Sequence, residues 1–309
     1  MLKKILFSLI CALMGAVFIF SAYIKLYPIE PFELTFVDLG IANWQTAPFI
    51  ARLLIAMEFL IGFALLLNLL LRKVTYKLSI GILLFFCVYL VLQIVFQGNK
   101  GNCGCFGTAI AMTPLQALIK NIIMLAVLAV LYKFHEGWDM GKFSKYLFIV
   151  CALSAVALPF ILNTVELDYS KAYLNKPEEN YKLELDSLYN NAKLNVPPRT
   201  LSQGKHIIAF MSLTCPHCRI AAKKIRIMHE RNPEISFYFV LNGDDDKLKP
   251  FFDDTHTDGI PHCMLLGRPF VYLAGTNMPV IYLVNNGMVE HDVNYIDLDQ
   301  GEIEEWMKK

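Results

Sequence analysis

Five long apolar stretches constrain the fold of this chain more than any other feature of its sequence. A helix needs about 20 apolar residues to cross the hydrocarbon core of a bilayer. Charged residues make up only 18% of the chain, against roughly 25% in soluble proteins. The sequence therefore predicts a membrane bundle of five helices. The stretches cover roughly residues 4–24, 49–71, 78–97, 114–133 and 145–163.

The composition changes abruptly after the fifth stretch. Charged residues become frequent, and no later segment is long and apolar enough to span a bilayer. We therefore predict a multi-pass α-helical membrane bundle, with a four-helix core and a fifth helix, followed by an α/β domain. The predicted parts are a four-helix domain (1–135), a cytoplasmic loop with the fifth helix (136–165), a polar linker with a helix at about 178–193 (166–198), and the α/β domain (199–309).

The placement of Lys and Arg predicts the orientation of the bundle, because cytoplasmic loops carry an excess of both. With the N-terminus inside, the outer loops contain only Lys25 and Lys100, and five spans place the α/β domain outside. The first span also resembles a signal peptide. We nevertheless expect a retained helix, since its apolar run is long and 18–22 offers no small-x-small cleavage site. The inner segments contain Lys3, Lys4, Arg72, Lys73, Lys77, Lys133, Lys142 and Lys145.

A CxxC motif lies inside a strand–helix–strand pattern in the polar region, "HIIAFMSLTCPHCRIAAKKIRIMHERNPEISFYFVLN". His206–Leu213 and Ile235–Leu241 are short apolar runs typical of buried strands, and the stretch between them has helical periodicity from Pro216. This order predicts a βαβ unit. A CxxC motif beside a βαβ pattern is typical of thiol redox chemistry.

The residues of this motif suit such chemistry individually. Cys215 is predicted to lie at the helix N-terminus, where unpaired N–H groups and the helix dipole stabilise a thiolate. Pro216 fits the first helical turn. His217 can stabilise the thiolate further, and Cys218, one turn into the helix, can resolve a mixed disulfide.

Two other interpretations of the motif are open. A zinc site would need two more ligands, for which His262 and Cys263 are the candidates. A purely structural disulfide is the second alternative. We expect neither, and no metal.

Residues 205–306 resemble the thioredoxin superfamily, and in particular a domain of the TlpA and DsbA types. The CPHC centre is the one found in oxidising oxidoreductases of the DsbA type. The resemblance implies that Pro279, in "GTNMPVIYLVNNGMV", is the family's cis-proline, and that its loop accepts a substrate backbone as an added strand. The chain departs from the family twice. Ala209 replaces a buried acid, and Thr214 replaces the usual Trp before the first cysteine.

A second cysteine pair lies in the glycine-rich loop "GNKGNCGCFGT" between the third and fourth spans. A disulfide between Cys103 and Cys105 would close a cramped ring and be easily reduced. The predicted topology places this pair on the same side of the membrane as Cys215. We therefore predict that the pair is a redox relay for the CPHC centre; zinc and a plain structural role are the alternatives.

The membrane part resembles the DoxX-like family, specifically its MauE branch. The matching pieces are "SAYIKLYPIEPF", "ARLLIAMEFLIGFALLL" and "NCGCFGT". The resemblance implies a bacterial inner-membrane partner for a thioredoxin-like protein that helps to form disulfides in an exported enzyme.

Four polar residues lie in the outer halves of the second, third and fourth spans: Arg52, Glu58, Gln93 and Lys120. Ionisable groups within a bilayer are costly and usually face the bundle interior. The structural interpretation is that Glu58 pairs with Lys120 or Arg52. The functional interpretation is a pocket under the loop that binds a quinone headgroup. The single cysteines of the spans are interpreted as packing residues.

Together these features predict a membrane thiol–disulfide oxidoreductase that exchanges disulfides with exported proteins. Its alternatives are an outward conduit of reducing equivalents and a non-catalytic assembly factor. The expected partners are exported proteins with thiols or disulfides, membrane lipid and a quinone, with no tightly bound cofactor. A net charge of +1 gives no reason to expect nucleic-acid binding.

Overall fold

The computed structural model describes residues 2–104, 107, 110, 112–137, 141–165 and 180–309. The chain divides into two compact units, Met1–Val165 and Glu166–Lys309.

The first unit is helical. Five of its described helices are long and apolar enough to cross a membrane, as predicted. A short helix between the first two spans was missed, because it is shorter than a span and carries three acidic residues. The helices are α1 (Leu2–Lys25), α2 (Glu30–Asp38), α3 (Ala47–Leu66), α4 (Tyr76–Gln97, preceded by a π-helical turn at Leu71–Thr75), α5 (Pro114–Phe134) and α6 (Lys142–Leu162).

Helices α1 and α3 pack against each other with almost no space between their backbones. A Cβ atom added to Gly15 would lie 2.6 Å from the carbonyl oxygen of Gly62. Small residues allow such close approach between membrane helices, where packing rather than hydrophobic burial drives association. Helix α6 also packs on α3, so the fifth span belongs to the bundle. The four-helix core stays a prediction.

The second unit is an α/β domain built on one mixed sheet with the strand order β1-β6-β5-β2-β3-β4. Strands β2, β3 and β4 are parallel, and β5, β6 and β1 extend the sheet in antiparallel pairs. The elements are β1 (Tyr181–Lys182), α7 (Leu185–Asn191), β2 (Lys205–Ser212), α8 (Pro216–Arg231), β3 (Phe237–Asn242), α9 (Leu248–Thr255), β4 (His262–Met264), α10 (Arg268–Ala274), β5 (Val280–Asn285), β6 (Met288–Val293) and α11 (Gln300–Lys308).

The predicted linker at 166–198 needs a correction. Residues 166–179 lie outside the described part, but β1 pairs with β6, and α7 buries Leu185 and Leu188 in the domain core. The folded domain therefore includes residues from at least 180, not only those from 199. The sequence did not indicate that this segment belongs to the domain, because the segment is mostly polar and only its apolar residues face the sheet.

Candidate active site

Cys215 lies between the carboxyl end of β2 and the first turn of α8. It is the N-cap residue of α8, and its Sγ accepts a hydrogen bond from the Cys218 backbone N–H at 3.4 Å. Cys215 is half-buried, so part of the residue stays open to solvent. This is the position that the strand–helix–strand pattern predicted.

Cys218 lies one turn into α8 and is buried in the core. Its thiol is fully buried, and its Sγ accepts a hydrogen bond from the backbone N–H of Ser212 at 3.3 Å. Burial, reinforced by its hydrogen bond with Cys215, raises the pKa of the Cys218 thiol far above its ordinary value. The two cysteines of the motif therefore differ: one is partly exposed, and the other is buried and protonated.

The loop before β5 closes the site. The Met278–Pro279 peptide bond is cis, at the residue that the thioredoxin resemblance implied. The Cys215 thiol donates a hydrogen bond to the Met278 carbonyl oxygen at 3.9 Å. Because β5 pairs directly with β2, the sheet holds this loop beside the end of β2 from which Cys215 follows.

Behind the site, apolar groups replace the acid that the thioredoxin superfamily places there. Ala209 is fully buried in β2, between Phe239 of β3 and Ile281 of β5. A methyl group occupies this position of the core, so it offers no carboxylate to move a proton to or from Cys218.

His217 is exposed and makes a contact that the sequence did not indicate. Its imidazole ring stacks on the ring of Tyr295, with the centroids 5.1 Å apart and the planes 19° from parallel. Tyr295 lies between β6 and α11, far from the motif in sequence. No local pattern could have found this contact, because it depends on how the end of the domain folds back onto α8.

The first cysteine of the second pair is buried. Cys103 is only 3% exposed and packs against Leu90 of α4 and Ala117 of α5. Its N–H donates to the Met112 carbonyl oxygen at 2.9 Å. The Cys103 thiol is therefore covered by α4 and α5, and the relay stays a prediction. Cys105 lies outside the described residues.

Glu58 pairs with neither Lys120 nor Arg52, so that prediction was wrong. Its two carboxylate oxygens each lie 2.7 Å from the ammonium of Lys25, which also donates to Ser21 at 2.8 Å. From the sequence we expected Lys25 to lie in an outer loop. Helix α1 instead continues to this residue, and its packing on α3 brings the two charges together in the bundle interior.

The other polar residues of the spans have different surroundings. Arg52 binds Glu33 of α2 at 2.5 Å and donates to backbone carbonyls at the ends of α3 and α6. Gln93 is buried in α4. Glu58 and Lys120 do line a common cavity.

That cavity is small. Its volume is about 20 Å³, which accommodates about one water molecule. A quinone headgroup does not fit into it, and neither Arg52 nor Gln93 lines it. The quinone pocket therefore stays a prediction for these four residues, and we derive no step through a quinone.

The zinc alternative needs Cys263 and His262 as further ligands, and the structure shows the surroundings of both. Cys263 is fully buried in β4, and burial raises the pKa of its thiol to about 11. His262 hydrogen-bonds the Ile260 carbonyl oxygen through Nδ1. Within the part of the chain that the structure describes, no group of three or more His, Cys, Asp or Glu side chains could hold a metal ion.

Known proteins resemble the chain in both units. Residues 3–134 match the family described as Methylamine utilisation protein MauE. Protein TlpB of Flavobacterium psychrophilum is 28% identical to this chain over 92% of each protein.

Two solved structures resemble the second unit. One is a secreted Mycobacterium tuberculosis disulfide oxidoreductase homologous to E. coli DsbE, with 15% identity, a TM-score of 0.28, and coverage of 34% of this chain and 81% of that chain. The other is the thioredoxin domain of a thiol-disulfide oxidoreductase from Bacteroides vulgatus, with 14% identity, a TM-score of 0.29, and coverage of 35% and 81%. At these TM-scores the two likenesses add no weight to the fold.

The fold and the site define a class of protein. Five membrane-compatible helices precede a domain in which a CxxC helix follows the central strand, opposite a cis-proline loop. The chain is thus a multi-pass membrane protein with a thioredoxin-like domain. Its membrane part, residues 3–134, is similar to MauE, as predicted for the part that precedes the thioredoxin-like domain.

Proposed function

We propose that this chain is a membrane thiol–disulfide oxidoreductase that exchanges disulfides with exported proteins through Cys215 and Cys218. The observation that carries the proposal is the asymmetry of the two thiols. Cys215 is partly exposed at a helix N-terminus, whereas Cys218 is buried in the core. Thiol–disulfide exchange needs such a pair, because one sulfur must meet the client and the other must release it.

In the oxidising direction, the reaction begins with the Cys215–Cys218 disulfide. A client thiolate attacks the Cys215 sulfur, a mixed disulfide forms, and Cys218 leaves as a thiolate and takes up a proton. A second client thiolate then attacks the client sulfur of the mixed disulfide and releases Cys215. The client gains a disulfide, and the centre gains two electrons.

The N–H groups around the site assist the leaving sulfurs. The Cys218 N–H faces the Cys215 sulfur, and the Ser212 N–H faces the Cys218 sulfur. Each donor stabilises negative charge on the sulfur that it contacts. With Ala209 at the position of the family's acid, the proton that Cys218 gains comes from water or from the client thiol.

The loop pair takes the two electrons in the second half of the proposal. The Cys215 thiolate attacks a Cys103–Cys105 disulfide, and Cys218 then displaces the loop sulfur, which restores the Cys215–Cys218 disulfide and leaves a loop dithiol. Because Cys103 is covered by Leu90 and Ala117, we expect the attack to occur at Cys105 and to release Cys103.

Each step is reversible, so the relative reduction potentials of client, centre and loop pair set the direction of flow. The proposal requires both cysteine pairs on the outer side of a bacterial inner membrane. The excess of Lys and Arg on the opposite loops supports this orientation. Labelling of single cysteines introduced at Lys77 and Gly101 tests it, and cytoplasmic protection of residue 101 would remove the basis for the relay.

The decisive experiment removes the resolving thiol. Cys218→Ser should trap a mixed disulfide between Cys215 and the loop, seen by mass spectrometry of unreduced digests as a peptide pair joining Cys215 to Cys105 or Cys103. Cys263→Ser, which changes a buried thiol of the same domain, is the control and should trap nothing. If Cys218→Ser yields adducts with other proteins only, and a loop double mutant still turns over, the relay is wrong.

A further inference from the structure

The histidine of the CPHC motif leans on an aromatic ring from another part of the domain. His217 is exposed, and one face of its imidazole is covered by the half-buried ring of Tyr295. The 5.1 Å centroid separation and the 19° interplanar angle describe a stacked pair rather than an edge contact. Stacked geometry places the π-face of the phenol ring against the imidazole.

The segment that carries Tyr295 is tied to the helix that carries His217. Lys224 lies about two turns further along α8, and its ammonium donates to the carbonyl oxygens of Tyr295 at 3.2 Å and Ile296 at 3.0 Å. Asn294 adds a turn, since its side-chain oxygen accepts from the Ile296 N–H at 3.0 Å. Helix α8 therefore holds the backbone at Tyr295 in place. The Tyr295 ring in turn packs against His217 in the first turn of the same helix.

We infer that Tyr295 is a positioning residue for His217 that makes the Cys215–Cys218 centre more oxidising. The stack restrains the imidazole in the first turn of α8, two residues after Cys215. An aromatic face attracts a charged imidazolium more than a neutral ring. A charged imidazolium in turn stabilises a Cys215 thiolate, which exists only in the reduced centre. The inference rests on the proposed redox role of this centre.

The equilibrium to measure is the exchange of the centre with glutathione. The reduced centre and one glutathione disulfide give the oxidised centre and two glutathione thiols, so atoms and electrons balance. Removal of the ring should destabilise the reduced centre. For Tyr295→Leu we expect the equilibrium constant of this exchange to shift about two- to fivefold towards the oxidised centre. A shift of this size corresponds to the free energy of an exposed aromatic–cation contact. Tyr295→Phe, which keeps the ring, should stay close to the native protein.

A double-mutant cycle separates positioning from plain structure. His217→Ala alone should shift the constant in the same direction, by more than Tyr295→Leu does. The addition of Tyr295→Leu to His217→Ala should then change nothing further. Lys224→Met, which frees the segment but keeps both rings, should give a smaller shift of the same sign.

All variants are measured as the full chain in detergent micelles, and differential alkylation with peptide-level mass spectrometry reports the state of Cys215 and Cys218 alone. An unchanged constant in Tyr295→Leu, or an equal shift in the native and His217→Ala backgrounds, overturns the inference. If the native centre forms no reversible disulfide at any glutathione ratio, the proposed function itself fails. The two failures are therefore distinguishable.

Discussion

The two units of this protein place the same kinds of side chain in opposite environments. In the thioredoxin-like domain the first thiol of the cysteine motif, Cys215, is half-buried at a helix end. In the membrane unit the first thiol of the loop motif, Cys103, is covered by α4 and α5. Both appear in the sequence as closely spaced cysteine pairs, but only in the thioredoxin-like domain is the first cysteine of the pair partly exposed.

Two ion pairs, one from each unit, differ in the same sense. Lys25 and Glu58 are at most 4% exposed, whereas Arg199 and Asp186 of the thioredoxin-like domain are 73% and 78% exposed. A pair with little access to water depends wholly on its partner, while an exposed pair is solvated either way. The comparison teaches that burial, rather than residue type, sets the chemistry of each group.

The largest expected effect concerns the buried ion pair. Lys25→Met or Glu58→Gln alone should each destabilise the bundle by about 3–5 kcal/mol, because the partner charge is left buried and unpaired. The double variant should lose less than the sum of the single variants. Unfolding of the full chain by SDS in mixed micelles measures these changes.

The matched control is Asp186→Asn in the exposed pair, which we expect to cost no more than about 1 kcal/mol. Equal losses in the buried and exposed pairs would break the comparison.

The second prediction concerns thiol accessibility. In the reduced full chain, Cys215 should react with iodoacetamide at least about a hundredfold faster than Cys103, because a covered sulfur reacts only after local opening. Peptide-level mass spectrometry resolves each site. Cys263, buried in the same domain as Cys215, should be as slow as Cys103; a fast Cys263 would show that the unit, not burial, decides.

The third prediction opens the loop. A Cβ atom at Gly107 would lie 2.5 Å from the carbonyl oxygen of Ile24, so Gly107→Ala should push the loop away from the end of α1. We expect the alkylation rate of Cys103 to rise about tenfold, as local opening becomes easier.

Gly98→Ala is the matched control for this change. Gly98 shares the positive φ angle but has open space around it, so its substitution carries only the backbone strain. If both variants expose Cys103 equally, contact with α1 does not hold the loop.

The smallest expected effect is the pH dependence of folding stability that Cys263 causes. Burial raises the pKa of this thiol from 9.0 to about 11, so above pH 9 the unfolded chain loses the proton before the folded chain does. The thiol therefore contributes no pH dependence below pH 9, and stability falls as the pH rises from 9 towards 11. From pH 8 to pH 10 the loss should be about 1 kcal/mol.

Cys263→Ala should remove this part of the slope of stability against pH. Any effect of the substitution on stability at pH 8 itself is separate. Urea unfolding followed by the fluorescence of the buried Trp306, in a Trp44→Phe and Trp138→Phe background, measures both proteins. A variant that keeps the full slope would show that other groups cause it.

Local patterns in the sequence were enough to predict much of this protein. Five apolar stretches of sufficient length gave five membrane-compatible helices, since the cost of burying backbone in lipid leaves a chain little alternative to a helix. The βαβ pattern placed Cys215 at the first turn of α8 and Cys218 one turn inside, because both positions depend on neighbours a few residues away. The similarity of residues 3–134 to MauE was likewise visible in short stretches of sequence.

Tertiary packing alone decided the partners and the exposure of these residues. Glu58 pairs with Lys25 because α1 runs on to that lysine and packs against α3. Cys103 is covered because it packs against Leu90 of α4 and Ala117 of α5. Tyr295 reaches His217 because the chain returns to α8 after the last strand. Each contact joins residues from separate elements. A local pattern fixes which face a side chain takes on its own helix or strand, but not which distant element will pack against that face.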